Sequence, residues 1–358
     1  MSFDLSNLAL KSVCPTNEIL MDNDDMPSVM VKIPKFTIAE VLPGGSNSVH
    51  PAFIVNGVEK DYIWISKFQN VVDNGRAYSL PGVDPRAYIT FDQAKEACEA
   101  KGPGWHLMTN AEWALIALWC RKNECMPHGN NTYGKATENT AEKGIVSYRY
   151  TSDSKTYDGR VFTGSGPLTW SHDGTPGGIF DLNGNVWEWT GGMRLKDGEI
   201  QIIPDNNAAE TGANQSPTST LWKAIKTDGT LVAPGTAGTF KYDYLNTPPA
   251  NGGKINLTDT LVNPQTSETP YAYQTFETLN VKSGITVPEI MKVLAFAPSD
   301  NSGHGGDYLY MRNIGERLPL RGGDWAGGSG AGVFALLLYC LRANSCCDVG
   351  FRSAFVEM

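Results

Sequence analysis

The segment that decides the fold runs from Arg321 to Arg352 and reads RGGDWAGGSGAGVFALLLYCLRANSCCDVGFR. It begins with a polar, glycine-rich turn and continues through nine apolar residues from Val333 to Leu341. A membrane-spanning helix needs about 20 such residues, so this run is too short to cross a bilayer. Two adjacent cysteines, Cys346 and Cys347, follow it without an obvious packing purpose. Part of this segment has therefore been selected for something other than core packing.

The composition excludes some classes of function. The chain of 358 residues has a net charge of -9 and no run of Lys or Arg, so a nucleic-acid partner is not expected. Its 38 glycines, 21 prolines, 9 tryptophans and 14 tyrosines indicate a loop-rich protein with short elements and an aromatic core. Seven cysteines cannot all pair within one chain, which favours reduced thiols. We expect no cofactor and assign no metal-ligating residue, and the sequence leaves open whether calcium binds near Asp181 to Asn185.

The first 28 residues are polar and rich in aspartate, and we expect them to form an N-terminal arm outside the core. Cys14 lies where a lipoprotein cleavage site would have its cysteine, but no apolar stretch of about 7 to 15 residues precedes it. We therefore expect neither a signal peptide nor insertion into a membrane. We expect the protein to be made in the cytoplasm.

Hydrophobic spacing predicts two strands and two helices in the first third of the chain. Alternating apolar residues predict strands from Val29 to Ile38 and from Tyr62 to Phe68. A helix follows Thr90, a favourable N-cap residue, and stops before a Gly-Pro-Gly sequence. A second helix begins at Thr109, with Glu112 at the spacing of a capping box.

The middle of the chain combines one sharp local pattern with a long polar stretch. Asn183-Gly184 is typical of a type I′ hairpin turn, and the strand predicted after it has Trp187 and Trp189 on one face. Residues 196–315 are rich in Pro, Asn, Thr and Gly, and we interpret them as an irregular insertion within a larger domain. One short helix is expected inside it, from Pro288 to Ala295.

Two motifs with possible chemistry are better explained as structural. Gly330 to Ala335 has the G-x-G-x-x-A spacing of a dinucleotide-binding loop, but the preceding strand and the following helix that such a loop needs are not predicted. Cys120, Cys125 and His128 lack a nearby fourth ligand for zinc. Cys120 also falls on the apolar face of its predicted helix, so burial explains it.

Four blocks of sequence, in this order along the chain, resemble the formylglycine-generating-enzyme type of C-type lectin fold. They are Gly104 to Trp113, Gly184 to Trp189, Arg321 to Trp325 and Gly350 to Arg352. The resemblance covers residues 29–195 and 316–358. It implies an α+β fold with short strands and two main helices, interrupted by the long irregular insertion at 196–315.

The resemblance also assigns scaffold residues. Tryptophans are expected to fill the core, and arginines to donate hydrogen bonds to backbone carbonyls that loops leave unpaired. The scaffold residues are Trp187, Trp189, Arg321, Trp325 and Arg352.

The sequence departs from the catalytic pattern of these enzymes, which use two active-site cysteines four residues apart shortly before the final G-F-R. Here Cys340 is followed by cysteines six and seven residues later. A reactive thiolate at Cys340 would need a cation such as Arg342, and the surrounding leucines disfavour the charge. The H-x-x-x-H-x-E stretch of the related iron-dependent sulfoxide synthases is missing. We predict no catalytic residue, and keep a formylglycine-generating or related thiol-dependent oxidase as the alternative function.

A narrower resemblance is to the variable proteins of diversity-generating retroelements, in particular the phage and prophage type. The shared features are a W-H-L-x-T-N-A-E-W helix start, a W-E-W followed by an insertion, and a C-terminal region laid out on R-G-G-x-W and G-F-R. In such systems, error-prone reverse transcription at template adenines randomises chosen codons while framework codons stay fixed. The resemblance implies a diversified ligand-binding or receptor-binding protein, with a variable region at about residues 324–348, and not an enzyme.

Alternation along a strand divides the apolar run into two faces. Phe334, Leu336 and Leu338 are expected to face the core. Leu337, Tyr339 and Leu341 are expected to face outward as an apolar binding patch. The variable surface implied by the resemblance consists of Asp324, Ala326, Gly327, Gly330, Leu337, Tyr339, Cys340, Leu341, Ala343, Cys346, Cys347 and Asp348. In the alternative interpretation, the whole run is a strand buried on both faces.

The expected partner is a variable protein or glycan receptor, with neither nucleic acid nor membrane insertion involved. The expected location is the tail of a phage virion or a bacterial surface. Assembly into a homo-oligomer is compatible with the sequence, which does not specify it.

Overall fold

The computed structural model describes residues 5–246 and 253–358. Within these residues the chain forms five α-helices and 25 mostly short strands, which confirms the α+β class. The helices are α1 (Leu5–Val13), α2 (Ile38–Val41), α3 (Phe91–Glu99), α4 (Asn110–Lys122) and α5 (Glu289–Val293). In the described ranges, no helix has both the length and the apolarity that crossing a membrane requires.

The strands fall into two sets along the chain. Up to residue 202 they are β1 (Asn17–Met21), β2 (Pro27–Pro34), β3 (Ile54–Val55), β4 (Val58–Glu59), β5 (Tyr62–Ser66), β6 (Val71–Asp73), β7 (Arg76–Tyr78), β8 (Trp105–Leu107), β9 (Arg149–Ser152), β10 (Lys155–Asp158), β11 (Trp187–Trp189), β12 (Met193–Lys196) and β13 (Glu199–Ile202). After it they are β14 (Lys223–Ile225), β15 (Leu231–Val232), β16 (Lys241–Tyr244), β17 (Ile255–Thr258), β18 (Ala272–Thr275), β19 (Asn280–Val281), β20 (Tyr308–Met311), β21 (Glu316–Arg317), β22 (Leu320–Gly322), β23 (Gly332–Leu338), β24 (Val349–Phe351) and β25 (Ser353–Phe355).

Both main helices begin at the predicted capping residues. The Thr90 side chain accepts a hydrogen bond from Gln93 N at 3.3 Å at the start of α3. At the start of α4, Thr109 Oγ1 accepts from Glu112 N at 3.2 Å and Glu112 Oε2 accepts from Thr109 N at 2.9 Å. These reciprocal bonds satisfy backbone donors that a helix leaves free at its N-terminus. The predicted α5 is also present, with Pro288 as its N-cap residue.

A five-stranded sheet in the order β1-β2-β5-β25-β8 differs from the arm predicted for residues 1–28. Strand β1 pairs with β2 over its whole length. Asn17 in β1 is buried, and its Nδ2 donates a hydrogen bond to Gly177 O at 2.6 Å. Asp22 closes the β1–β2 turn by accepting hydrogen bonds from Asp24 N and Met26 N, both at 2.9 Å. The aspartates that indicated a solvated arm therefore include one that builds a turn.

The six-stranded sheet positions the C-terminal segment. Its order is β18-β20-β23-β22-β11-β24, so β23 lies inside the sheet, parallel to β20 and antiparallel to β22. Strand β23 starts at Gly332, which has a φ of 152° and where a Cβ would come within 2.2 Å of Asp307 Oδ1. Asp307 Oδ2 accepts a hydrogen bond from Phe334 N at 2.7 Å. Glycine at this position lets the buried carboxyl group fix the beginning of the strand.

The two faces of β23 pack against different groups of residues. Phe334, Leu336 and Leu338 belong to the large core cluster that also contains most of α4. Leu337 belongs to a second cluster, together with Trp187. The predicted alternation is confirmed, but the strand is buried on both faces, as the alternative interpretation proposed.

The insertion at 196–315 is not irregular, contrary to the prediction. Most of its strands build an eight-stranded sheet with β12 and β21, and β18 and β20 join the six-stranded sheet. Leu309 and Met311 of β20 share the core cluster of Leu338. These strands could not be recognised from composition because they are short and carry polar residues, as in Lys241–Tyr244 (KYDY).

The hairpin predicted at Asn183-Gly184 is wrong. Positive φ values occur at Gly184 (77°) and Asn185 (64°), and β11 pairs with the distant strands β22 and β24. The Asn185 side chain accepts a hydrogen bond from Val161 N and donates one to Gln69 Oε1, both at 2.8 Å. Long-range contacts of this kind determine the loop, and a dipeptide signal cannot reveal them.

Candidate functional site

The twelve residues of the predicted variable surface differ in exposure. The exposed ones are Ala326, Leu341, Ala343 and Cys346. The half-buried ones are Asp324, Gly327, Tyr339, Cys340 and Asp348. The buried ones are Gly330, Leu337 and Cys347.

Six of these residues line one cavity of about 300 Å³ on the Leu337 face of the six-stranded sheet. They are Asp324, Leu337, Tyr339, Cys340, Cys346 and Asp348. The rest of the lining comes from Trp187, Arg312, Leu320, Asn344, Ser345 and Val349. A pocket of this volume, mostly apolar with a few convergent polar groups, has the character of a small ligand site. We call it the variable-region pocket.

Two carboxyl groups, those of Asp324 and Asp348, belong to this pocket. Asp324 Oδ2 accepts a hydrogen bond from the Trp187 indole Nε1 at 3.1 Å, and Asp324 Oδ1 accepts one from Ala326 N at 2.7 Å. Burial, and then the neighbouring charge of Asp348, raise the pKa of Asp324 to about 7. Asp348 Oδ1 is buried without a hydrogen-bond partner. The pocket therefore offers one carboxyl group that changes charge near neutral pH and one oxygen that lacks a donor.

The thiols of the pocket are not activated. Burial raises the pKa of Cys340 to about 12. Partial burial of the sulfur and a hydrogen bond with Asp348 raise the pKa of Cys346 to about 12 as well. Arg342, the cation considered for activating Cys340, forms ion pairs with Asp92 at 2.7 Å and Glu316 at 3.2 Å instead. Both thiols are protonated at neutral pH, which opposes nucleophilic chemistry.

One group of potential metal ligands occurs among the described residues. Donor atoms of Cys346, Cys347 and Asp348 lie within 4.8 Å of one another, with the two sulfur atoms 3.9 Å apart. Cysteine binds metals as the thiolate, which the raised pKa of Cys346 disfavours. No metal ligand was predicted from the sequence, and the structure brings these three side chains together.

Three predicted surface residues are corrected by the structure. Leu337 has 3% of its surface exposed because it lies in an inner strand whose face packs against a hydrophobic cluster. Cys347 is 7% exposed and packs against Trp325. Gly330 is buried under a tyrosine, since a Cβ there would lie 3.1 Å from Tyr308 Cγ. Of the three, Leu337 alone reaches the pocket lining.

A row of tyrosine rings adjoins the pocket, and sequence reasoning missed four of its five members. Tyr273 packs against Tyr308 and Tyr310, with ring centroids 5.9 Å and 6.2 Å apart. Tyr339 contacts Tyr271 at 5.4 Å and Tyr310 at 6.3 Å. We call these five residues the tyrosine row. The spacing of two in Tyr271-x-Tyr273 and Tyr308-x-Tyr310 was the available signal, because side chains two residues apart in an extended chain lie on one face.

The scaffold arginines hold loops in place as predicted. Arg352 Nη2 donates a hydrogen bond to Phe180 O at 3.1 Å, and Arg321 Nη2 donates one to Ala295 O at 3.2 Å. Arg352 additionally forms a buried ion pair with Glu188, at 2.6 Å from Nε to Oε2.

The scaffold tryptophans fill the core as predicted, and one of them does more. Trp187, Trp189 and Trp325 are 6%, 0% and 4% exposed. Trp187 also walls the variable-region pocket and binds the carboxylate of Asp324. A separate cavity of about 190 Å³, lined mainly by apolar side chains such as Val31 and Trp119, borders none of the predicted surface residues.

Comparison with known proteins gives a curated relative that matches part of the chain. It is the inactive C-alpha-formylglycine-generating enzyme 2 of Bos taurus, which is 26% identical over 120 residues. The aligned stretch covers 33% of this chain and 36% of the relative, so the chain matches about a third of that protein's length.

The solved structures that match most of this chain do so at low identity and with low TM-scores. PvdO from Pseudomonas aeruginosa is 12% identical with a TM-score of 0.34, covering 94% of this chain and 97% of that one. Treponema denticola variable protein 1 is 13% identical with a TM-score of 0.32, covering 95% and 99%. The P3c variant of Major Tropism Determinant is 10% identical with a TM-score of 0.31, covering 95% and 71%. The family assignment rests on sequence instead.

The family model of the sulfatase-modifying factor enzyme 1-like domain, FGE-sulfatase, matches residues 10–212. The match takes in more than half of the 358 residues. It begins inside the predicted N-terminal arm and extends past residue 196 into the predicted insertion. With the few helices and many short strands of the structure, it confirms the predicted C-type lectin fold of the formylglycine-generating-enzyme type. The chain belongs to the FGE-sulfatase family.

Proposed function

We propose that this protein binds its ligand through a diversified surface, formed by residues at about 324–348 on the C-type lectin scaffold. The observation that carries the proposal is the convergence of six predicted variable residues on the variable-region pocket. The ligand would be a protein or glycan receptor. The site of action would be the tail of a phage virion or a bacterial surface. The name of Treponema denticola variable protein 1 agrees with this proposal, which does not rest on it.

The division of the C-terminal segment into framework and surface supports the proposal. Arg321, Phe351 and Arg352 are fully buried, whereas Leu341 is 43% exposed and Cys346 is exposed. A surface built for variation needs fixed residues that hold the fold and neighbours whose side chains make few core contacts. The segment contains both kinds: a continuous buried run extends from Gly330 to Leu338, and exposed residues lie in the turn before it and in the loop after it.

The proposal includes no catalytic role. The family is named for an enzyme that modifies sulfatases, and its members of the active type are expected to need a reactive thiol. Raised pKa values of Cys340 and Cys346 oppose a thiolate in this pocket. Cys340→Ser separates the two functions. A binding protein should keep its fold and at most change its ligand, while a thiol-dependent oxidase should lose turnover of a cysteine-containing peptide.

A display library tests the proposal directly. One library randomises Ala326, Tyr339, Leu341, Ala343 and Cys346, and a matched control library randomises Trp325, Leu338, Val349, Phe351 and Arg352. Resistance to protease on the display particle reports folding, and selection against bacterial surface receptors reports binding. Most members of the surface library should stay folded and yield new binders, whereas most of the control library should be cleaved. Equal losses in the two libraries would contradict the proposal.

A further inference from the structure

The variable-region pocket also indicates what this version of the protein binds, and the inference rests on the proposed function. We infer that the pocket receives a primary ammonium group, such as the end of a lysine side chain on a protein receptor. Asp324 and Asp348 would bind the charged nitrogen, and the apolar wall would contact the methylene chain.

The charge of the lining favours a cation. The titratable side chains that line the pocket are those of Asp324, Asp348, Arg312, Tyr339, Cys340 and Cys346. Burial raises the pKa of Tyr339 and Cys340, so these two groups are neutral at physiological pH. Two carboxyl groups then face a single cation, Arg312, and an added positive charge is attracted to the carboxylates.

The charge of Arg312 is already engaged away from the carboxyl groups. Its guanidinium lies 5.2 Å from the ring centroid of Tyr339 and 5.9 Å from that of Tyr271. Its Nε donates a hydrogen bond to Pro270 O at 3.2 Å, and its Nη1 lies 3.8 Å from Glu268 Oε2. Arg312 therefore does not neutralise Asp324 or Asp348, which are left to a ligand.

Hydrogen bonding favours a primary ammonium over a quaternary one. Asp348 Oδ1 is buried and has no donor, which is costly for a polar atom in a folded protein. A primary ammonium carries three N–H donors and can satisfy this oxygen, while a tetraalkylammonium carries none. Asp324 keeps its own donors, Trp187 Nε1 and Ala326 N, and so stays in place when the ligand binds.

The surroundings favour a lysine on a protein surface over a free amine. The tyrosine row lies beside the pocket, and Tyr273 is 41% exposed. Tyrosine supplies large contact areas at low entropic cost and is enriched in binding surfaces. A receptor could therefore place one lysine in the pocket and rest on the tyrosine row. Because positions 324 and 348 belong to the predicted variable set, this preference would be specific to the present version of the surface.

Titration with n-butylammonium tests the inference, in a buffer containing EDTA. The reporter is the Trp187 indole N–H resonance in ¹H–¹⁵N spectra, since this group bonds to Asp324. The wild type should bind n-butylammonium, and Asp324→Asn and Asp348→Asn should each weaken binding by at least about tenfold. The control Asp61→Asn, at a carboxylate with 86% of its side chain exposed, should not change the affinity.

Neutral and quaternary analogues complete the test. Neutral n-butanol and tetramethylammonium should both bind more weakly than n-butylammonium. This comparison on the wild type also decides the case if either Asn variant fails to fold. Lack of binding by the wild type, equal binding of n-butanol or tetramethylammonium, or unchanged affinity in a folded Asn variant would overturn the inference. Such a result would leave the proposed diversified surface standing, because the display libraries test that proposal separately.

Discussion

Single buried charges hold the framework on which the C-terminal segment rests. Glu188 and Arg352 form an ion pair with 1% and 0% of their side chains exposed. Gln69 Nε2 also donates to Glu188 Oε1 at 3.0 Å, and Arg352 reaches the carbonyls of Ser66 and Phe180, each at 3.1 Å. One residue thus ties β5, β11 and the loop before β11 to the end of the variable region.

Removing one charge of this pair should be costly. We expect Glu188→Gln to lower the free energy of unfolding by about 3–5 kcal/mol, because it leaves the Arg352 guanidinium buried without a counter-charge. Urea denaturation measures the change. The control Arg149→Gln breaks a pair whose side chains are 65% and 45% exposed, and should cost about 1 kcal/mol or less. Similar losses in the two variants would contradict this account of the scaffold.

Asp324 should give stability a recognisable pH dependence. Its pKa is raised from 3.8 to about 7 in the folded protein, so between about pH 4 and 7 the native state binds a proton that the unfolded chain has released. The free energy of unfolding therefore falls as pH rises through this window. In Asp324→Asn the fall should be smaller. Urea denaturation of both proteins at about pH 4, 5, 6 and 7 measures the difference.

The difference between the two proteins isolates Asp324. Burial also raises the pKa of Asp181, to about 6, and the pKa of Asp307. Both residues therefore also make the free energy of unfolding fall as pH rises, equally in the wild type and in the variant. Parallel curves for the two proteins would show that Asp324 has no raised pKa.

For single residues, prediction from sequence succeeded where a position needs one particular side chain. The aromatic and arginine scaffold residues could be assigned because W-E-W, R-G-G-x-W and G-F-R mark positions that few side chains can fill. The burial of Leu337 was expected only in the alternative interpretation, and that of Gly330 and Cys347 was not foreseen. It depends on what packs above each residue, which includes Tyr308 from a segment that the sequence did not mark as structured.

Among the elements, β23 decides how much of the segment can be displayed. Leu337 and Leu338 point to opposite faces, and both are buried, at 3% and 0% exposure. Leu341 lies past the end of the strand and is 43% exposed. Display is therefore confined to the turn before the strand, the residues after it, and the pocket wall.

Truncation of three leucines tests this arrangement. Leu337→Ala and Leu338→Ala should each lower the free energy of unfolding by about 2–5 kcal/mol through lost burial and a residual cavity. Leu341→Ala should change it by about 0.5 kcal/mol or less. Chemical denaturation of the three variants side by side gives the comparison. A small cost for Leu337→Ala would restore the outward orientation that the sequence predicted.

The insertion is integral to the fold, and its replacement should show this. Strands β12 and β21 pair through Leu195↔Arg317 and Lys196↔Glu316, so a short glycine turn can replace residues 198–314 without moving them. Such a chain should fail to unfold cooperatively, because β23 loses its partner β20. Replacing the exposed hairpin β9–β10 by a similar turn is the control and should preserve cooperative unfolding. Cooperative unfolding of both chains by circular dichroism would make the insertion an independent unit.

Helices and strands were predicted correctly where contacts between neighbours in sequence determine them, and incorrectly where contacts between distant segments do. Capped helices such as α3 and α4 are determined by neighbours in sequence, and their starts were predicted correctly. Strand pairing between distant segments, as between β11 and β24, leaves no local signal beyond alternation. The hairpin at Asn183-Gly184 was therefore wrong and the strands of the insertion were overlooked.

In the whole molecule, the two large parts of the chain meet at the site. Residues 316–358 supply the carboxyl groups and thiols of the variable-region pocket, while the insertion supplies Arg312 and four members of the tyrosine row. The resulting surface combines positions that are predicted to vary with tyrosines of the insertion that are predicted to stay constant. This combination would keep a general affinity for protein surfaces while changing the specific contact.

The DNA that encodes the C-terminus offers the most direct measurement of the central claim. Sequencing the locus in the source genome should reveal an imperfect repeat of the codons for Arg321 to Arg352 beside a reverse-transcriptase gene. Its mismatches should fall at template adenines, in codons for exposed or pocket-lining positions such as Asp324, Tyr339 and Cys346, and spare codons for Trp325 and Arg352. A locus without such a repeat, or mismatches spread evenly over buried framework codons, would contradict the claim that this surface is diversified.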